Sequence, residues 1–338
     1  MRLRNFWYIA AQSKEISSKP MARSILNKHL VLFRGDDGQA VAMEDRCLHR
    51  NAKLSEGFVK EGNIVCPYHG WAYNKNGELT DIPSEGYCQK HRRKQKTFPL
   101  IEQQDYIYVW LGDRLPNEDE KPFNIPFYDE KGYNKIKLVN HFENTVTNCV
   151  ENFVDIPHTV YVHPGIFRVR RNQKFTAEIS RKAGSVEVRY ANETDNLGFF
   201  SKFLNPDAKE IVHFDRFHMP NVSCVEYYIS ENRHFIITSQ SIPVGDRQTL
   251  VYTDLTYNYG IWNKVTAPLI RQQAQTIIAQ DQVILKNQDE NIRRFGEEFQ
   301  NSPADYIHVM IESIRRYLEQ DKDPLLLPDK TKEVEFWV

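Results

Sequence analysis

Cys47-Leu-His49 is followed, after sixteen residues, by Cys66-Pro-Tyr-His69-Gly-Trp. Two short segments thus offer two thiolates and two imidazoles to one inorganic centre. Zn²⁺ takes four mixed sulfur and nitrogen ligands tetrahedrally, so a Cys₂His₂ set first suggests zinc. Zinc fingers, however, place both histidines on one helix, whereas each segment here supplies one cysteine and one histidine. That division suits a [2Fe–2S] cluster in which one iron takes two thiolates and the other two imidazoles. Two such spacings within 23 residues argue against four unrelated buried polar side chains.

A second set lies in Asn152-Phe-Val-Asp155-Ile-Pro-His158-Thr-Val-Tyr-Val-His163-Pro-Gly165. Asp155 and His158, three apart, share a helical face. His163 lies five residues beyond His158, about 140° around a regular helix. Pro157 and the Pro164-Gly165 stop allow a broken helix that brings both imidazoles to one point. By spacing alone such a pair is more often structural than metal-binding.

Several elements must position these residues. Trp7–Ala10, Leu30–Phe33, Ala40–Met43 and Tyr106–Leu111 are strand-like runs, with turn signals at Gly35–Gly38, Lys75–Gly77 and Gly112-Asp113. They predict a small antiparallel β domain with the Cys/His loops at its tip. The polar, proline-bearing residues 114–135 read as a connector. From 175 to 260 the chain alternates, as in Ser185–Tyr190, Val225–Ile229, His234–Thr238 and Leu250–Tyr257, which predicts an antiparallel sheet with one wet face. Phe199, Phe200, Phe203, Phe214, Phe217 and Tyr227, with Met219, could line a pocket there, though most such side chains are plain core. His213 and His218 are read as structural or substrate-contacting, not as ligands. Residues 267–295 are the clearest helix, with Leu269, Ile270, Ala274, Ile277, Ile278, Ile284 and Leu285 as its apolar stripe. Asp281 interrupts that stripe. A carboxylate there is costly unless an Arg or Lys pairs with it or a metal binds it.

The chain has 338 residues, 41% hydrophobic and 26% charged, with a net charge of −1. This is an ordinary globular balance, long enough for two domains, and it gives no reason to expect nucleic acid or an anionic membrane surface as a partner. No apolar run approaches the roughly 20 residues of a membrane span, and the first residues lack the pattern of a secretory signal. Cys88, Cys149 and Cys224 are scattered singly, so no disulfide framework is expected and a reducing cytoplasm is the natural compartment. The basic run His91–Lys96 reads as a solvated loop before a docking patch for an acidic electron donor. No nucleotide or flavin fingerprint is present, so a separate reductase must deliver electrons from NAD(P)H.

With Pro67, Gly70 and Trp71 around them, Cys47-x-His49 and Cys66-x-x-His69 resemble the Rieske proteins. High-potential respiratory Rieske proteins link these loops by a disulfide, and no cysteine stands beside either loop here, which points to the oxygenase and ferredoxin branches. Asn152, Asp155, His158 and His163 are similar to the Asn-x-x-Asp-x-x-His-x-x-x-x-His signature of Rieske non-haem iron oxygenases. The resemblance covers nearly the whole chain. It implies an α+β protein: an antiparallel β Rieske [2Fe–2S] domain over 1–118, then a helix-grip (START-like) catalytic domain over 119–338 with an antiparallel sheet and a long C-terminal helix. It implies that His158 and His163 bind a mononuclear Fe(II). Asp155 would lie between that iron and the cluster of a neighbouring subunit, which implies a homotrimer.

Two imidazoles leave an Fe(II) dication uncompensated, and a third, carboxylate ligand is required. Asp281 is the candidate; Gln288 fits the residue types that follow it in the family, Lys286 stands where an acidic residue is common, and Asp289 and Glu290 are fallbacks. The activity implied is that of a terminal oxygenase using O₂ and reductase- or ferredoxin-supplied electrons. The start Arg4-Asn5-Phe-Trp-Tyr looks like the single-subunit-type monooxygenases and demethylases, so hydroxylation or oxidative demethylation of a small to medium organic substrate is preferred. Dihydroxylation of an aromatic ring is the nearest alternative. From another class, a Rieske electron carrier without a second iron stays open. The apolar tail Glu333–Val338 could pack on its own domain or across a subunit interface.

Overall fold

A computed structural model describes residues 3–85, 94–166, 174–191 and 211–338. Cys88, His91 to Arg93, Phe199, Phe200 and Phe203 lie outside them. The first compact unit comprises Arg4–Asn124 with Val244–Asp246, running past the boundary expected at residue 118. Its strands are β1 (Phe6–Gln12), β2 (Met21–Ile25), β3 (Lys28–Arg34), β4 (Ala40–Glu44), β5 (Phe58–Lys60), β6 (Asn63–Val65), β7 (Ala72–Tyr73), β8 (Leu79–Asp81), β9 (Leu100–Gln103) and β10 (Tyr106–Leu111). They form three antiparallel sheets, ordered β1-β10-β9, β2-β3-β4 and β5-β6-β7-β8. Leu30 to Phe33 of β3 are all buried, so this strand is covered on both faces and reads as a continuous apolar run. Val31, Phe33, Met43, Ile64 and Tyr73 pack with Cys47 and Cys66 in one cluster. The two thiols therefore sit at the edge of a dry core.

The second unit comprises Met1–Leu3, Ile125–Pro243 and Arg247–Val338. It contains β11 (Asn134–Phe142), α1 (Val146–Phe153), α2 (Thr159–Val162), β12 (Lys174–Lys182), β13 (Ser185–Ala191), β14 (Val212–His218), β15 (Val222–Ser230), β16 (Arg233–Gly245), β17 (Gln248–Tyr257), α3 (Asn263–Phe295), α4 (Tyr306–Glu319) and β18 (Lys330–Trp337). Eight strands form one sheet in the order β11-β17-β16-β15-β14-β13-β12-β18. Leu138, Phe142, Phe235 and Leu255 of the sheet pack with Ile270, Ile278 and Leu285 of α3. Ile307, Met310, Ile311 and Ile314 of α4 recur at helical spacing and pack with Phe175, Ile179 and Val188.

Two expectations change, and the tail takes one of its two expected places, on its own domain. The long helix starts at Asn263, and its buried stripe is Ile270, Ile278, Asp281, Leu285, Asp289 and Ile292, with Leu269 and Ile284 left exposed. Of the two carboxylates on this narrow stripe, Asp289 is neutralised by Arg247 and Arg293, whereas Asp281 faces two imidazoles. The sheet lacks a wet face along β16, where Ile236, Thr238 and Gln240 are as buried as Phe235 and Ser239. Period-two alternation does not separate a solvated face from a buried polar one, and the hydroxyls here pair across strands, Ser239 Oγ lying 3.3 Å from Thr253 Oγ1. The tail is β18, which pairs antiparallel with β12 and stacks Phe336 on Phe175 at 5.8 Å. Among the described residues, no helix is long and apolar enough to cross a membrane.

Candidate metal centres

Each Cys/His loop closes on its own cysteine. Asn51 N–H donates to Cys47 O at 2.9 Å and Gly70 N–H to Cys66 O at 3.1 Å, while Cys47 N–H reaches Ala52 O and Cys66 N–H reaches Trp71 O. Gly70 turns at φ +75°, and a Cβ there would stand 2.9 Å from Pro83 Cγ, so only glycine fits. Cys47 and Cys66 are buried, and burial pushes the Cys66 thiol up, with Cys47 beside it adding to the effect. Two thiols crowded in a dry site ionise together only against positive charge. The imidazoles of His49 and His69 stand 4.5 Å apart, and Trp71 stacks on His49 at 4.8 Å, fixing its plane. His69 is exposed. Nδ1 of His49 is buried with no hydrogen-bond partner. Two thiols, two imidazoles and an orphaned ring nitrogen fit a mixed-ligand [2Fe–2S] cluster. Tyr73, whose hydroxyl burial pushes well up, remains a donor; its Oη lies 3.2 Å from Cys47 Sγ and accepts from Leu48 N–H at 3.1 Å.

The second centre grows from a broken helix, as expected. Thr145 caps α1, its Oγ1 accepting from Asn148 N–H, and α1 ends at Phe153. The single-turn α2 is bracketed by His158 and His163. His163 leaves the helix at φ −118°, ψ 55°, which turns its ring back toward His158. Nε2 of His163 is 3.1 Å and Nε2 of His158 3.6 Å from Oδ1 of Asp281 on α3. The three ligand atoms lie within 4.8 Å of one another. His163 Nδ1–H donates to Gln280 Oε1 at 2.8 Å, and that tautomer aims the Nε2 lone pair at a carboxylate oxygen. Oδ1 of Asp281 accepts no hydrogen bond. Opposed lone pairs on buried atoms fit a cation between them, and two imidazoles with one carboxylate suit Fe(II). Oδ2 of Asp155 stands 3.5 Å from His158 Nδ1. Burial opposes charge on His158, but Asp155 and Asp281 outweigh it and push its pKa up; the pocket favours positive charge.

Asp281 is thus brought to the histidines, and the fallbacks are not. Asp289 is held by Arg247 and, at 2.6 Å, by Arg293, the paired-carboxylate arrangement weighed for Asp281. Glu290 is exposed, and Lys286 pairs with Glu143 at 3.0 Å. Gln288 accepts from Asn144 Nδ2 at 3.0 Å, and the same amide donates to Leu285 O at 2.7 Å. Asn144 Oδ1 accepts from Asn148 Nδ2 at 2.8 Å. This buried amide pair fastens α1 to α3 and so sets the distance between the histidines and Asp281. Neither Gln280 nor Asn144 is anticipated from the sequence; the one available signal was a pair of amides four residues apart at a helix start.

The three residues and Asp155 line a cleft of about 710 Å³, its open mouth included. Tyr227 and His213 form part of its wall, whereas Phe217 is core. His218 is not among the lining residues, and burial holds its pKa down.

Residues 6–99 match the Rieske [2Fe-2S] domain family, and residues 143–320 match the vanillate O-demethylase oxygenase C-terminal domain family. The chain is 25% identical over 299 residues to the oxygenase component of dicamba O-demethylase from Stenotrophomonas maltophilia, covering 84% of this chain and 87% of that one. It is 37% identical over 175 residues to a putative toluene-4-sulfonate monooxygenase system iron-sulfur subunit, TsaM2, of Comamonas testosteroni. That match covers 48% of this chain and 47% of the relative, about half its length. The crystal structure of dicamba monooxygenase bound to dicamba has the same fold, with a TM-score of 0.82 at 22% identity over 94% of this chain and 98% of that one.

Proposed function

The chain belongs to the Rieske non-haem iron oxygenases, and from that premise we propose that it is the terminal oxygenase component of a multi-protein system. It takes O₂, and electrons from NAD(P)H through a separate reductase or ferredoxin, to hydroxylate or oxidatively demethylate a small to medium organic substrate. The observation that carries this reading is the convergence of His158, His163 and Asp281 on one buried point in a cleft wall. A plain electron carrier has no use for such a point beside a cavity.

Cys47, His49, Cys66 and His69 would hold the [2Fe–2S] cluster, and His158, His163 and Asp281 the mononuclear Fe(II). Bound there, the cluster supplies single electrons and the iron supplies dioxygen activation. The protein's part is positional. Gln280 fixes the tautomer of His163, Oδ2 of Asp155 faces Nδ1 of His158 at 3.5 Å, and both Nε2 atoms face Asp281. Asp155 is also the link toward the cluster of a neighbouring subunit, which makes a homotrimer the working form. Among the described residues, Cys47, Cys66, Cys149 and Cys224 form no disulfide, which suits the cytoplasm.

Iron and acid-labile sulfide per chain, measured on anaerobically purified protein, test this reading. We expect about three irons to two sulfides, and in His158→Ala about two irons with sulfide unchanged. Two irons to two sulfides in both proteins, even after reconstitution with Fe(II), leaves only an electron carrier. Substrate-dependent oxygen uptake then separates an active oxygenase from an idle one.

A further inference from the structure

Strands supply part of the cleft wall, and the two ionisable side chains among them, His213 and Asp215, both stand on β14. Tyr190 of β13, His213 of β14 and Tyr227 of β15 are direct cross-strand partners. Their rings stack, His213 lying 4.7 Å from Tyr190 and 4.4 Å from Tyr227. This sandwich fixes the imidazole plane, and His213 Nε2–H donates to Asp215 Oδ1 at 3.0 Å. Tyr190 Oη–H donates to Asp215 Oδ2 at 2.7 Å. Asp215 is 2% exposed, its cross-strand neighbours are Val188 and Val225, and it lines the same cleft as His158, His163 and Asp281.

A carboxylate among valines is expensive to bury, and a well-packed apolar residue serves a core better. A carboxylate accepts about four hydrogen bonds, and two donors hold Asp215 in place without exhausting it. The nearby hydroxyls of Ser223, Ser239 and Thr253 both donate and accept, so they tolerate either kind of polar group. Asp215 does not: it attracts donors and cations and repels anions.

We propose that Asp215, oriented by His213 and Tyr190, is the polar anchor of the substrate, and that substrates of this cleft carry an O–H or N–H donor instead of an anionic group. The inference deepens the oxygenase reading of the cleft and rests on it. The apolar body of the substrate then lies along Ile277 and Ile237, with its donor at β14.

Calorimetric binding to the iron-loaded holoenzyme under argon tests the inference without turnover. The probes are 2-methoxyphenol and 4-methoxyaniline, which carry donors, anisole, which has none, and 4-methoxybenzoate, which is an anion. A donor to a buried carboxylate should make the first two bind the wild type about tenfold or more tighter than the benzoate. In Asp215→Asn, with melting temperature and cluster spectrum unchanged, the preference should shrink to about threefold or less. Benzoate binding as tightly as the phenol overturns the proposal whether or not the variant folds. A preference that survives Asp215→Asn, or no binding by either donor probe, overturns it as well. Failure of the oxygenase reading registers separately, as missing iron and absent oxygen uptake.

Discussion

Nδ1 of His163 lies 2.8 Å from Oε1 of Gln280, the residue immediately before Asp281 on α3. One helix therefore supplies both the carboxylate that faces His163 Nε2 and the acceptor that fixes which nitrogen of that ring carries the proton. Neighbouring residues on a helix point about 100° apart. The imidazole fits between them only because His163 has already left its own helix. Replacing Gln280 by Leu keeps the bulk and removes the acceptor. Outer-shell substitutions of this kind lower metal affinity by about 10- to 100-fold. Titration of the apoprotein with Fe(II) should show that loss with sulfide content unchanged, whereas an unaltered titration would reduce Gln280 to a surface amide.

Asp281 and Asp289 lie on one stripe of α3 and are both buried, yet they should behave oppositely. Asp289 is neutralised by Arg247 and Arg293, both partly open to water. Asp289→Ala therefore leaves guanidinium groups that can resolvate, and should destabilise the fold by about 1–3 kcal/mol while leaving iron content intact. Asp281→Ala removes a carboxylate whose Oδ1 accepts no hydrogen bond, and should abolish mononuclear iron with little loss of stability. Urea midpoints and iron content together decide. Loss of iron in Asp289→Ala at unchanged stability would reverse the assignments.

What the sequence discloses divides along physical lines. Cys47, His49, Cys66 and His69 stand out as candidate ligands because each pair sits at a fixed offset in one loop, and chemistry limits what such offsets do. Asp281 stands out as a candidate because a carboxylate breaks an apolar stripe. Gln280 does not, since an amide beside the apolar stripe of a helix is ordinary until the imidazole it holds is in place. Asn144 is hidden because its partners Leu285 and Gln288 are far away in the chain, and Asp215 because Tyr190 and the cleft reach it only through strand pairing; single-sequence patterning carries no such pairing. The stripe of Ile307, Met310, Ile311 and Ile314 has helical spacing but is not anticipated beside the longer helix before it. Which strand Lys330–Trp337 joins cannot be read, because every sheet edge offers the same backbone donors and acceptors.

Tyr73 lies behind the loop of Cys47, a proposed cluster ligand, and would bear on the reduction of a cluster held there. Its hydroxyl is 3.2 Å from Cys47 Sγ, and a hydrogen bond to a ligating sulfur favours the reduced, more negative cluster. Tyr73→Phe deletes that donor within a packed core and leaves the ring. The midpoint potential should fall by on the order of 40 mV, the one-electron equivalent of about 1 kcal/mol for one hydrogen bond. Protein-film voltammetry reads the shift directly. A potential unchanged, or raised, would show that the hydroxyl serves Leu48 N–H alone.

His218 gives the stability a defined pH dependence. Burial, followed by the smaller and partly opposed effects of Glu226, Arg216 and Glu187, holds its pKa below the ordinary 6.5. The unfolded chain therefore binds a proton that the folded chain refuses. Stability from this group is complete above the unfolded pKa and is lost as pH falls below 6.5 toward the folded value, with a slope of at most about 1.4 kcal/mol per pH unit. His218→Gln removes the titrating group from that position. Melting temperatures recorded from pH 7.5 to pH 5 should fall less steeply for the variant than for the wild type. Parallel curves would mean that His218 takes up its proton in the folded state as readily as in the unfolded one.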